Sequence, residues 1–155
     1  MVVAFAVLAL STCRLSALQP TALPDFQLAT LDGQTIRSAD LPAKGHWLLI
    51  YVESESHFCE KLLKHFSQRA TSPTLAKVVV IVKGTPEEAK AMRAHYPYLA
   101  QAFWYSDPSD NAFTQLKLNG IPVTLGVDQH TVQWVNNGVL PDSKTQNAIL
   151  FSWLQ

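Results

Sequence analysis

Cysteine is scarce in this 155-residue chain: there are two, Cys13 and Cys59, and no C-x-x-C pair. No Cys/His set has zinc spacing. His57 lies near Cys59, but two ligands do not make a site, so neither a metal nor a cofactor is expected. The chain lacks a G-x-S-x-G elbow, a phosphate-binding glycine loop and an H-E-x-x-H helix, which removes the commonest hydrolase and nucleotide-binding signatures. Charge is sparse and balanced. Charged residues make up 15%, with 12 basic against 12 acidic side chains and no Lys/Arg cluster. That excludes the basic stripe of a nucleic-acid binder and any strong field for trapping acidic substrates. No apolar run approaches the roughly 20 residues of a membrane span, and no internal repeat is present.

Apolar residues are plentiful, at 48%. A single domain of this length hides about two-thirds of its unfolded surface, so it needs no disulfide or metal to hold it. Three segments follow: residues 1–17 as a signal, 18–23 as a Pro-containing linker, and 24–155 as the folded domain. Met1 to Leu10 (MVVAFAVLAL) fits the apolar region of an export signal. Leu10-Ser11-Thr12-Cys13 resembles a lipobox, in which Cys13 would be lipidated and anchor the protein to a membrane. Cleavage near Ala17 and an uncleaved anchor are the alternatives. Each expects export, with the domain periplasmic or membrane-anchored and facing the periplasm.

Hydrophobic periodicity sets the order of elements. Alternation over Pro24–Thr30, an Asp32-Gly33 turn and Thr35-Ile36-Arg37 predict a hairpin. Trp47–Val52 and Lys77–Val82 are continuous apolar runs, predicting strands buried on both faces. Between them Cys59, Leu62, Leu63 and Phe66 form one helical stripe, with Ser56 placed to cap the helix. Thr85-Pro86-Glu87-Glu88 opens a helix running to about His95. Phe103–Tyr105 predicts a short strand, and Asp110–Leu118 a helix ended by Asn119-Gly120. Val123–Val127 and Thr131–Val135 predict two strands, and Lys144–Leu154 a closing helix. Alternating strands and helices imply an α/β domain, a central mixed sheet with helices on both faces.

Four segments carry a resemblance to a known family: Pro24-Asp25-Phe26-Gln27-Leu28 with Asp32-Gly33; Leu48–Val52 followed by Ser56-His57-Phe58-Cys59 at a helix start; Phe103–Pro108; and Gly120-Ile121-Pro122-Val123-Thr124. In this order and spacing the chain resembles the thioredoxin-like suprafamily, redoxin/TlpA type, related to AhpC/TSA proteins. The resemblance implies a thioredoxin-like fold and a thiol–disulfide oxidoreductase ancestry. It puts Ser56-x-x-Cys59 in place of the C-x-x-C motif and makes Ile121-Pro122 the cis-proline segment. It also implies a groove for protein thiols, disulfides or an extended polypeptide, formed by His57, Phe58, Ile121 and Pro122. Glu55 replaces the usual tryptophan, and Ile50 occupies the stretch where some thioredoxins carry a buried acid.

The missing first cysteine limits the chemistry. A serine hydroxyl is too weak an acid to replace an attacking thiolate, so dithiol cycling within one chain is unavailable. Three readings of Cys59 follow: a core cysteine in a redox-inactive module that binds a partner polypeptide; a monothiol forming mixed disulfides; or, with Ser56 orienting peroxide, a peroxiredoxin-like peroxidatic cysteine. Val52 stands where peroxiredoxins have a proline. Trp104, Trp134 and Trp153 read as core.

Overall fold

The run Trp47–Val52 lies at the centre of the molecule, in strand β4 (His46–Glu53). The structure is a computed structural model that describes residues 19–42, 44–67, 71–139 and 143–155. The predicted signal at 1–17 and Cys13 lie outside the described residues. Alternate β4 side chains enter two separate cores. Leu48, Ile50 and Val52 join one, and Trp47, Leu49 and Tyr51 the other. Both faces of the strand are therefore apolar, and that is why its sequence shows no polar alternation.

The other strands are β1 (Thr21–Ala22), β2 (Gln27–Thr30), β3 (Thr35–Arg37), β5 (Val78–Lys83), β6 (Phe103–Asp107), β7 (Val123–Asp128) and β8 (Thr131–Asn137). They form one mixed sheet in the order β1-β8-β7-β4-β5-β6-β2-β3. β4, β5 and β6 are parallel, and the remaining pairings are antiparallel. The β2–β3 hairpin turns at Gly33, whose φ of 83° needs a residue without a Cβ.

The helices are α1 (His57–Ser67), α2 (Ser72–Leu75), α3 (Pro86–His95), α4 (Asn111–Gln115) and α5 (Ser143–Trp153). α1, α3 and α5 pack on the Leu48 face, where Cys59, Leu62, Leu63 and Phe66 are fully buried with Ala89, Leu150 and Leu154. α4 and the hairpin cover the other face through Ala112 and Leu28.

Three local features depart from the sequence reading. Thr21–Ala22, inside the stretch read as a linker, pairs antiparallel with Val132 and Thr131 of β8. The short helix α2 carries no periodic signal. α4 stops well before Asn119-Gly120. Lys117 takes the left-handed conformation (φ 53°), while the Leu118 and Lys117 N–H groups donate to the carbonyls of Phe113 and Thr114. This closes the helix as a Schellman motif. The left-handed position holds a lysine rather than a glycine, which hid the true end.

Candidate functional site

The site forms where β4 runs into α1. After Glu53 the chain turns through Ser54 and Glu55, and Glu55 has a left-handed backbone (φ 61°). Ser56 then caps α1. Its Oγ accepts the Cys59 N–H at 3.4 Å, and its carbonyl accepts the Glu60 N–H at 3.0 Å. The hydroxyl expected to replace an attacking thiol therefore satisfies a helix N-terminus.

Cys59 sits in the first turn of α1 and is completely buried. Its Sγ accepts the Glu53 N–H at 3.4 Å. Burial pushes the thiol above its ordinary value. The contacts from Ser56 and the Glu53 N–H act the other way but do not prevail, and the Glu53 carboxylate adds to the rise. The thiol is protonated and enclosed at neutral pH. Its two neighbours toward the helix N-terminus differ sharply from it: His57 is exposed, and Phe58 keeps 62% of its surface in solvent.

The Ile121–Pro122 peptide is cis. The β4–β7 register runs to Tyr51↔Val123, so Ile121-Pro122 lies just beyond it, beside the Val52–Glu53 end of β4. Pro122 is buried and its carbonyl accepts the Gly138 N–H at 2.7 Å. Ile121 is half-buried and packs against the core cluster containing Cys59. Ser56, Cys59 and Ile121-Pro122 thus converge on one end of β4. On α1, His57 and Phe58 are exposed.

A cleft of about 1390 Å³ opens between α1 and α3, with Ser56 and His57 in its lining. Glu53, Glu55, His57 and Glu60 line one wall, and Met92, Tyr96 and Tyr98 are on the other. Burial raises the Tyr96 hydroxyl above its ordinary value, and the nearby Glu60 and Cys59 raise it further. A smaller recess of about 520 Å³ shares the Glu53–Glu55 loop and reaches Lys83, Asp107 and Asp110.

In the sequence Asp107 figures only within the Phe103–Pro108 segment that carries the resemblance, yet it organises that recess. Its fully buried carboxylate accepts the Tyr51 hydroxyl at 2.9 Å and the N–H groups of Asn111 and Phe113 at 2.8 and 3.0 Å. The signal was hidden because Tyr51 lies 56 residues away. Among the described residues no group of three or more His, Cys, Asp or Glu side chains is placed to hold a metal, and no helix is long and apolar enough to cross a membrane. Trp104 is buried in the core, while Trp134 and Trp153 are half-buried and pack against each other.

Comparison with known proteins agrees with this architecture. No curated protein matches the sequence. An uncharacterized conserved protein from Geobacillus kaustophilus superposes with a TM-score of 0.67 at 16% identity, over 90% of this chain and 84% of that one. A putative thiol:disulfide interchange protein DsbE from Chlorobium tepidum gives 0.62 at 20% identity, over 90% of this chain and 100% of its own. The pneumococcal exposed lipoprotein thioredoxin from Streptococcus pneumoniae gives 0.59 at 17% identity, over 83% and 98%. At these identities the likeness establishes a thioredoxin-like fold. The AhpC/TSA family pattern matches residues 21–135, and the chain belongs to that family.

Proposed function

We propose that this AhpC/TSA-family domain is a redox-silent thioredoxin-fold module that binds an extended polypeptide over the start of α1. The observation that carries the reading is the contrast between adjacent residues: the Cys59 sulfur is fully enclosed, while Phe58 stands in solvent. A thiol kept protonated by burial is a poor nucleophile, and that weighs against both the monothiol and the peroxidatic readings. The exposed Phe58 offers the apolar anchor that polypeptide docking uses. The apolar N-terminal run, and the description of the pneumococcal neighbour as an exposed lipoprotein, support a site of action outside the cytoplasm.

The test has two arms. With Cys13→Ser, Cys59 is the only thiol, and native-state labelling with an aromatic disulfide reagent reads its access. Labelling should run at least about a thousandfold slower than in denaturant, because it waits on local opening. Fast native labelling, or a mixed disulfide trapped in cells, overturns redox silence in favour of a monothiol. In the second arm, a fluorescent, cysteine-free unfolded polypeptide should bind wild type and lose roughly tenfold or more in affinity with Phe58→Ala, the loss typical of an aromatic anchor. Unchanged binding in that variant removes the docking surface.

A further inference from the structure

The α1–α3 cleft is not needed to explain how Cys59 is held, and it has a character of its own. Glu60 and Lys64 on α1 face it at helical spacing, as do Glu88, Met92 and His95 on α3. At about 1390 Å³ it exceeds the roughly 300–1000 Å³ of ordinary small-molecule pockets. An open groove between two helices on this scale suits a stretch of polypeptide.

Its charge is one-sided. Glu53, Glu55, Glu60 and Glu88 line it against the single ammonium of Lys64, in a molecule whose formal net charge is zero. Among the described residues the ion pairs are Arg37–Asp25, His46–Asp128, Lys83–Asp110 and Lys90–Asp32, and none involves these carboxylates. Glu88 is anchored, since its Oε2 accepts the Thr85 N–H. The facing wall adds apolar surface beside Glu88 and His95. Tyr98 is 76% exposed and Met92 is half-buried. Long cationic side chains match such a surface, because their stems cover apolar area while their heads reach carboxylates, and a guanidinium also stacks on a tyrosine ring.

We propose that this cleft takes a basic, arginine-bearing segment of the partner polypeptide. It thereby sets partner choice alongside the apolar contact at Phe58. The inference rests on the docking reading above and names the class of chain docked.

Three fluorescein-labelled peptides test it, identical but for arginine, glutamine or glutamate at every third position, read by anisotropy against the full chain. The arginine peptide should bind at least about tenfold more tightly than the glutamate peptide, with glutamine between them, and the gap should narrow as salt rises. Glu60→Gln combined with Tyr98→Ala alters exposed side chains only, so the fold should persist by circular dichroism. It should narrow the gap between the arginine and glutamate peptides by at least about threefold. Equal binding of all three peptides to wild type, or a preference undiminished in the double variant, overturns the cleft assignment and leaves docking at Phe58 standing. If none of the three binds while the unfolded polypeptide still does, the cleft assignment alone falls. If that probe also fails to bind, both readings fall.

Discussion

Cys59 shows how one side chain's surroundings decide its chemistry. At the same chain position an exposed sulfur would gain from the aligned N–H groups of the helix start, but enclosure costs the charged form more than those dipoles return. The same imbalance gives stability a pH dependence. Below the ordinary thiol value of 9.0 the folded and unfolded chains both hold the proton, and Cys59 contributes no slope. Above 9.0 the unfolded chain ionises first, so stability falls as pH climbs toward the raised folded value. Tyr51 acts in the same direction above 10.0, since burial and the Asp107 carboxylate both oppose its ionisation. Urea unfolding at neutral pH and at two values above 9.0 should show this decline in wild type and a shallower one in Cys59→Ala. Identical slopes would mean that the thiol is already solvated in the folded state.

The elements owe their ends to side chains that complete backbone hydrogen bonding. α3 begins with a full capping box: Thr85 Oγ1 accepts the Glu88 N–H at 3.2 Å, and the Glu88 carboxylate accepts the Thr85 N–H at 2.7 Å. Pro86 takes the first helical position, where its missing N–H costs nothing. Thr85→Ala should lower stability by about 1 kcal/mol in chemical denaturation. A Glu88→Gln variant should retain most of the cap, because the amide oxygen can still accept. A loss well below half that size in Thr85→Ala would mean that water replaces the cap. α1 is capped less tightly, with Ser56 Oγ 3.4 Å from its donor, and its hold on the sheet comes chiefly from the buried stripe from Cys59 to Phe66. Phe66 also stacks on Phe151 of α5, with centroids 5.2 Å apart, which couples the helix that carries the site to the closing helix.

At the scale of the whole molecule the frame is thioredoxin-like, and the resemblance that equates Ser56 with the family's first cysteine would put a redox couple one substitution away. Ser56 and Cys59 are already joined across one turn by the capping contact. Ser56→Cys should therefore yield a pair able to give two electrons to a substrate disulfide while closing its own, with dithiothreitol restoring the dithiol. Measurable insulin reduction in that variant, against none in wild type, is the expected result. A folded variant without activity would count against equating Ser56 with the family's first cysteine. Periodicity within short stretches was enough to read the sheet-and-helix order, the buried stripe of α1 and the Thr85 cap, because each depends on neighbours a few residues apart. The enclosure of Cys59, the three donors around Asp107, the Lys117 helix end and the acidic cleft between α1 and α3 were decided only by the tertiary structure. Burial and charge at a point in space are summed over residues far apart in the chain, and no local pattern records that sum.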